Sequence, residues 1–305
     1  MSFMKNVIAG LFLASLGLIS CKTSPTNAGK ADRVQLTDDQ LMDRVQSDAL
    51  KYFVDFAEPN SMLGRERYHE DDIYPDNDKH VITTGGSGFG LMTILVGVDR
   101  KFIPRQEAVK RLTHIADFLE KADRFHGAWP HWINGETGKV VPFGKKDNGA
   151  DLVETAFLTQ GIICVREYFK NGNPEEKALA EKMDKLWKGV EWNWFTKGGQ
   201  KVLYWHWSPN YGWEMNFPLE GYNECLITYV LAASSPEHSI DSDTYNKGWT
   251  RNGTYTTDRT KYGLPLYVKH NYAEEFGGPL FWSQYSYLGL DPRGLSDQYV
   301  ESYWD

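Results

Sequence analysis

Apolar positions recur at helical spacing in two kinds of segment along this chain. One kind carries a single apolar stripe, which predicts amphipathic helices that cover a core on one side. These segments are 38–57, 104–123 and 173–192. The other kind is apolar nearly all round, which predicts helices that are buried on every side. These segments are 87–99, 152–165 and 222–236.

The two kinds of segment alternate along the chain, beginning with an amphipathic one. This order predicts helical hairpins wound into a ring, with the apolar helices on the inside. We therefore expect an all-α fold, an (α/α)6 toroid. Because the chain offers fewer helices than six complete hairpins contain, we also expect the ring to lack its last helices.

The N-terminal residues are typical of a bacterial lipoprotein signal. Lys5 precedes an apolar run, residues 7–19, which is too short to span a bilayer comfortably. The run ends in Leu-Ile-Ser-Cys at 18–21, which resembles a lipobox; the alternative is an ordinary secretory signal with a chance cysteine. We expect lipid on Cys21 and a location in the cell envelope, on the outer membrane or in the periplasm.

Beyond the signal, the sequence predicts a tether and one domain. Residues 22–36 are small and polar without hydrophobic period, as in flexible linkers, and residues 37–305 show no second linker. We therefore take 37–305 as a single domain. We expect a monomer whose only contact with the membrane is the lipid.

Composition narrows the class of partner. The net charge of −8 and the lack of any Lys/Arg cluster argue against nucleic acid. Cys164 and Cys225 fall in apolar helical runs and are predicted to be core thiols without a disulfide. No zinc-ligand spacing is present, so we expect no metal and no cofactor. The aromatic share of 14% suits either core packing or the stacking of sugar rings.

Asp151 and Glu154 precede and begin an apolar helix, with the spacing of a capping box. On that interpretation the two carboxylates only stabilise the helix start. The alternative is that the helix opens onto a substrate cleft, where the acids take part in proton transfer. Glu220 and Glu224 stand at the same point before the next apolar helix, and this recurrence favours the second interpretation.

The loops that lead into the apolar helices are rich in side chains suited to binding sugars. Five of the eleven tryptophans lie in one of them, 190–224. The candidate substrate-binding residues are Arg65, Trp129, His131, Trp132, Trp205, Trp207, Tyr211, Trp213, Glu220 and Asn223.

Five segments also carry a family resemblance: 127–139, 151–162, 192–199, 211–232 and 270–287. Together they resemble the glucoamylase-like family of bacterial lipoproteins, which is similar to glycoside hydrolase family 144, the endo-β-1,2-glucanases. The resemblance extends in order over nearly the whole domain. It implies an (α/α)6 barrel and inverting hydrolysis, with Asp151, Glu154, Asn223 and Glu224 beside the cleaved bond.

Inversion needs one protonated and one ionised carboxyl group, about 6.5 to 9.5 Å apart. Asp151 and Glu154 share one helix turn and are expected to lie closer than this, so one of them must act with an acid from another helix. Glu224 is the candidate, which makes Asp151, Glu154 and Glu224 the predicted catalytic set. We expect hydrolysis of a neutral glucan, most simply β-1,2-glucan. The alternatives are an α-glucan hydrolase and a glycan-binding lipoprotein without activity.

Overall fold

The computed structural model describes residues 35–274 and 277–304, which form mainly helices joined by long loops. The predicted lipobox and Cys21 lie outside these residues. Residues 35–41, the described part of an N-terminal unit, contain the start of the first helix, and the compact body is Met42–Asp305. Within the described ranges no helix is both long and apolar enough to cross a bilayer.

Each of the six helices expected from the apolar pattern is present, and a short seventh follows near the C-terminus. They are α1 Asp38–Val54, α2 Thr84–Asp99, α3 Arg105–Lys121, α4 Leu152–Phe169, α5 Pro174–Lys188, α6 Leu226–Ser234 and α7 Phe281–Gln284. α6 begins later than its apolar pattern, because Asn223 folds back and its side-chain oxygen accepts from the amide of Cys225.

In the part of the chain that the structure describes, the loops also contain seven short strands in three small sheets, which the all-α prediction did not include. β1 Val81–Thr83, β2 Trp132–Asn134 and β3 Val140–Val141 form one antiparallel sheet. β4 Ala150–Asp151 pairs with β5 His206–Trp207, and β6 Thr260–Lys261 pairs with β7 Leu264–Pro265. Strands of two or three residues are too short to show an alternating pattern.

The two apolar helices α2 and α4 approach each other backbone to backbone. A Cβ atom at Gly88 would lie 2.0 Å from the carbonyl oxygen of Phe157, and one at Gly161 would lie 2.3 Å from the carbonyl oxygen of Gly88. Glycine is therefore required on both sides of this contact. α4 also packs against α5 and α6, and Leu152 and Val153 in its first turn are buried.

The amphipathic helices differ in how far their stripes are covered. In α3, Leu112 and Ile115 are fully buried, as the pattern predicts. In α1, only Leu50 is buried, whereas Val45, an apolar residue of the same helix, is 54% exposed. The pattern thus predicted the helix α1 correctly but not the extent of its burial. The core-thiol prediction holds for Cys225, which is free and buried, while Cys164 is free and half-buried.

Candidate active site

The short β4–β5 ladder places Asp151 at the start of α4. Asp151 pairs with His206 and Ala150 pairs with Trp207. The Asp151 carboxylate then caps α4 by accepting from the amides of Val153 at 3.0 Å and Glu154 at 2.9 Å. The predicted cap is therefore confirmed, and it fixes this carboxylate between a strand and a helix.

The remaining hydrogen bonds of Asp151 come from the two loops that were predicted to bind sugar. His131 Nδ1 lies 3.0 Å from Oδ2, and Trp205 Nε1 donates to Oδ1 at 2.8 Å. The side chain of Asp151 is completely buried. A carboxylate enclosed in this way holds its neighbours in place, while the predicted catalytic role of Asp151 stays a prediction.

Glu154 does not complete the predicted capping box. The amide that it would have satisfied, that of Asp151, donates instead to the carbonyl oxygen of Trp129 at 3.0 Å. The Glu154 carboxylate accepts from the amide of Gly85, in the first turn of α2, at 2.8 Å. A Cβ atom at Gly85 would lie 2.4 Å from this carboxylate oxygen, so glycine is needed for the contact.

The environment drives the two neighbouring acids toward opposite protonation states. Burial and the charge of Asp151 raise the pKa of Glu154 to about 7. Burial also opposes ionisation of Asp151, but the hydrogen bond from His131 and the charges of His206 and His131 keep its pKa below the usual value. Such a divided pair is a common arrangement for acid–base chemistry.

His131 is the positive partner of this pair. Burial opposes its protonation, yet the hydrogen bond and charge of Asp151 outweigh that effect and raise the pKa of His131 to about 9. Ligand atoms of His131, Asp147 and Asp151 lie within 4.8 Å of one another, a grouping that could hold a metal ion. In the structure, His131 Nδ1 lies 3.0 Å from the Asp151 carboxylate, so the group forms an ion-pair cluster.

Sequence reasoning missed two members of the cluster, Asp147 and His206. His206 Nε2 lies 3.5 Å from Asp147 and 3.7 Å from Asp151, between the two carboxylates. Burial and the charge of Asp151 raise the pKa of Asp147. The signal for Asp147 was its place four positions before Asp151. His206 offered none, because the two-residue strand that positions it has no period.

Glu224 lies two positions before Leu226, the first residue of α6. Burial raises the pKa of Glu224, and its buried Oε2 has no hydrogen-bond partner among the described residues. Burial also raises the pKa of the Cys225 thiol, as do the charges of Glu224, Asp151 and Glu154. The charges of all three predicted acids thus act on the same buried thiol, and their joint catalytic role stays a prediction. Asn223 instead stabilises the turn before α6, donating to Glu220 O at 3.1 Å.

Aromatic side chains border the acids on two sides. His131 and Trp132 pack on Phe143, with ring centroids 4.1 and 4.8 Å away, and Phe143 is 53% exposed. On the other side, Trp205 stacks on His206 at 5.5 Å and contacts Phe217, which is also 53% exposed. Phe143 and Phe217 were not among the predicted residues, although they are the solvent-exposed members of these two aromatic surfaces.

Two predicted binding residues belong instead to the folded core. Trp129 is fully buried and donates from Nε1 to Leu119 O at 3.2 Å, so it has no face for a sugar. Arg65 is buried as well, and its guanidinium donates to the carbonyl oxygens of Phe56 and Lys79. Both predictions were wrong because residue type alone does not reveal which side chains a loop buries.

The structure gives other contacts for the remaining predicted residues. The carboxylate of Glu220 pairs with Arg251 at 3.4 Å. Tyr211 belongs to a turn in which its amide donates to Ser208 Oγ at 3.0 Å. Because neighbouring residues of a strand point to opposite faces, Trp207 points away from the face of His206. Its ring, like that of Trp213, packs with a further tryptophan.

Residues 216–305 match the Glycoamylase family, described as "Putative glucoamylase". Over 280 residues the chain is 46% identical to an exo β-1,2-glucooligosaccharide sophorohydrolase (non-reducing end) of Parabacteroides distasonis. This match covers 87% of the chain and 38% of the relative. Over its C-terminal part the chain is therefore similar to the glucoamylase-like family.

Solved structures agree with this similarity and extend over most of the chain. An endo-β-1,2-glucanase from Chitinophaga pinensis, in complex with sophorotriose and glucose, has a TM-score of 0.86 and 58% identity. A glucoamylase-like protein from Bacteroides caccae has a TM-score of 0.85 and 57% identity. Each match covers 88% of this chain and 64% of the solved one. The resemblance to the glucoamylase-like family is therefore confirmed, and this chain spans only part of its relatives' length.

Proposed function

We propose that this protein hydrolyses a neutral β-1,2-linked glucan by general acid–base catalysis. The observation that carries the proposal is the divided pair at the start of α4, in which Asp151 stays ionised while the pKa of Glu154 rises to about 7. A carboxyl group near that pKa is suited to donate a proton at neutral pH. The relatives named as β-1,2-glucan hydrolases support the choice of substrate.

In this proposal Glu154 is the general acid. It is only half-buried, and one carboxyl oxygen is fixed by the amide of Gly85, which orients the group. Its proton passes to the glycosidic oxygen as the bond to the leaving sugar breaks. Asp151 is a positioning residue, because its fixed negative charge keeps Glu154 protonated and holds His131 in place.

Glu224 is the general base in the same scheme. It precedes α6 by two positions and so lies on a different segment from Glu154, which suits a pair that must leave room for water. The ionised Glu224 would take a proton from a water molecule, whose oxygen then bonds to the anomeric carbon on the face opposite the leaving group. The aromatic surfaces that end at Phe143 and Phe217 would hold the sugar rings on either side.

The test is hydrolysis of a panel of linear glucans, β-1,2, β-1,3 and α-1,4, by the full chain and by Glu154→Gln and Glu224→Gln. We expect cleavage of β-1,2-glucan and a loss of about 100-fold or more for each variant. Addition of azide should restore turnover to Glu224→Ala, since azide replaces the activated water, and should not restore Glu154→Ala. Absence of cleavage by the wild-type chain, with binding retained, would favour the glycan-binding alternative.

We also propose an arrangement of the helices and a location in the cell for this protein. We infer that α2, α4 and α6 are inner helices of an (α/α)6 ring, because α2 and α4 are apolar all round and α4 contacts both of the others. We further propose one domain over 37–305 and a lipid anchor on Cys21 in the cell envelope, as the Leu-Ile-Ser-Cys motif indicates. Cys21→Ser should release the protein from the membrane fraction; unchanged fractionation would overturn the anchor.

A further inference from the structure

A second aromatic surface lies outside the acid cluster. It borders a groove of about 350 Å³, which we call the Trp194 groove. Its lining includes two indole rings, those of Trp194 and Trp213, with Glu191, Asn193 and Thr196 beside them. Nothing lies within 4 Å of a Cβ atom at Gly198, which also borders the groove, so its backbone is open to approach.

The structure holds Trp194 in a fixed orientation although the side chain is 40% exposed. The imidazole of His126 stacks on it with centroids 3.7 Å apart and planes at 14°. His126 is itself anchored, with Nδ1 3.1 Å from the carboxylate of Glu191. The ring of Trp207 meets Trp194 edge-on at 6.4 Å. An exposed indole fixed on one side presents a flat apolar face without the usual cost of ordering it.

Trp213 supplies a second face to the same groove. Its ring lies 6.4 Å from that of Trp194, and the two planes are inclined at 32°. Phe195 packs edge-on against Trp213 at 6.1 Å, and Tyr204 does so at 5.9 Å. Two fixed and inclined aromatic faces therefore border a groove large enough for sugar rings.

The polar rim indicates a ligand that is neutral and rich in hydroxyl groups. The Glu191 side chain is 42% exposed and Asn193 is exposed, so both can exchange hydrogen bonds with hydroxyl groups. A carboxylate at the rim disfavours anionic ligands. Apolar faces flanked by hydroxyl-binding groups match the two surfaces of a pyranose ring.

The groove is separate from the acid cluster. In β5, the ring of His206 lies beside Asp147 and Asp151. Its neighbour Trp207 must point to the opposite face of the ladder, and there it contacts Trp194. A ligand in the Trp194 groove thus lies across the β4–β5 ladder from the carboxylates.

We propose that the Trp194 groove is a second binding site for neutral glucan, at which Trp194 and Trp213 stack on pyranose rings away from the bond that is cleaved. This inference rests on the proposed function for the choice of glucan. A site of this kind would hold a long substrate near the cleft and would leave short oligosaccharides unaffected.

The test is calorimetric titration with linear β-1,2-glucan in a Glu154→Gln background, which prevents cleavage during the measurement. We expect Trp194→Ala and Trp213→Ala each to raise Kd about tenfold, and Trp194→Phe to raise it less. Trp304→Ala is the matched control, since Trp304 is 64% exposed and does not line the groove. Melting temperatures show whether each variant is folded.

In the chain with Glu154 intact, Trp194→Ala should lower kcat/KM for the polymer and leave that for a trisaccharide unchanged. An unchanged Kd for folded Trp194→Ala and Trp213→Ala would overturn the proposal that the Trp194 groove binds glucan, even if the wild type hydrolyses glucan. Conversely, glucan binding that depends on Trp194, without any hydrolysis by the wild type, would overturn the proposed function and support the binding site in the Trp194 groove. A wild type that binds no neutral glucan would overturn both.

Discussion

The Glu154 carboxylate accepts a hydrogen bond of 2.8 Å from the main-chain amide of Gly85, 69 positions earlier in the chain. This bond joins the first turn of α4 to the first turn of α2. It replaces the local capping contact that the sequence predicted for Glu154, and it uses one of the amides that a helix leaves free at its N-terminus. The orientation of the proposed general acid therefore depends on the packing of two helices.

Gly85→Ala should disturb this contact directly. The added Cβ atom would lie 2.4 Å from the Glu154 carboxylate, so either the carboxyl group or the helix must move. We expect a loss of about 1 to 3 kcal/mol in the free energy of unfolding and a larger relative loss in kcat. Gly144→Ala is the control, because nothing lies within 4 Å of a Cβ atom there. Equal kcat values for the two variants would argue against a fixed Glu154.

Asp151→Asn should lower the pKa of His131. Asparagine still caps a helix, so the start of α4 should persist, but the negative charge that raises the pKa of His131 to about 9 is lost. We expect the His131 ring protons, followed by NMR, to titrate near pH 9 in the wild type and well below that in the variant. A His131 titration that does not change would contradict the ion pair.

The same pair predicts how stability depends on pH. The pKa of His131 is raised from 6.5 in the unfolded chain to about 9 in the folded one, so its contribution is complete below pH 6.5. It is lost as the pH rises through 9. We expect the melting temperature of the wild type to fall over this window more steeply than that of Asp151→Asn, measured in parallel.

Glu58 should matter for stability and not for turnover. Its fully buried carboxylate accepts from the amide and side chain of both Asn60 and Ser61 and contacts His80 Nδ1 at 3.0 Å. Burial opposes ionisation, but these bonds lower the pKa of Glu58 below its usual 4.5. Its stabilisation is complete above pH 4.5 and lost as the pH falls through the lowered value.

We expect Glu58→Gln to cost about 1 to 3 kcal/mol in the free energy of unfolding at pH 7. The substitution replaces one accepting carboxylate oxygen by an NH2 group, which would then face the hydrogen-bond donors around it. Its kcat, measured well below the melting temperature, should match the wild type. Glu70→Gln is the control, since Glu70 is exposed. A large loss of kcat in a folded Glu58→Gln protein would show that the site depends on this carboxylate.

Trp129→Ala should reveal a core residue. The buried indole lies beneath the Arg124 guanidinium, 4.1 Å from the ring centroid, and its truncation leaves a large cavity. We expect a loss of about 3 to 5 kcal/mol in the free energy of unfolding. Trp129→Phe should recover much of it and bind glucan with wild-type affinity. Weak binding by a stable Trp129→Phe protein would restore its predicted contact with sugar.

The sequence predicted the local parts of this structure better than the distant ones. The helical spacing of apolar residues located the six main helices, and the spacing of Asp151 and Glu154 identified the start of α4. The hydrogen bond between Glu154 and Gly85 and the strand pairing of Asp151 with His206 join distant segments, and no local pattern encodes them. Burial of individual tryptophans also depends on how loops pack, which is why Trp129 is enclosed whereas Trp194, outside the predicted set, is exposed.

The pH dependence of glucan hydrolysis tests the central claim, that Glu154 is a proton donor with a pKa of about 7, most directly. We predict that kcat for β-1,2-glucan falls as the pH rises through about 7, since Glu154 then loses the proton that it must donate. Glu154→Gln should be at least about 100-fold slower at pH 6 and regain rate on an aryl glycoside, whose leaving group needs no acid. A Glu154→Gln protein that cleaves glucan at the wild-type rate with an unchanged pH profile would contradict the account.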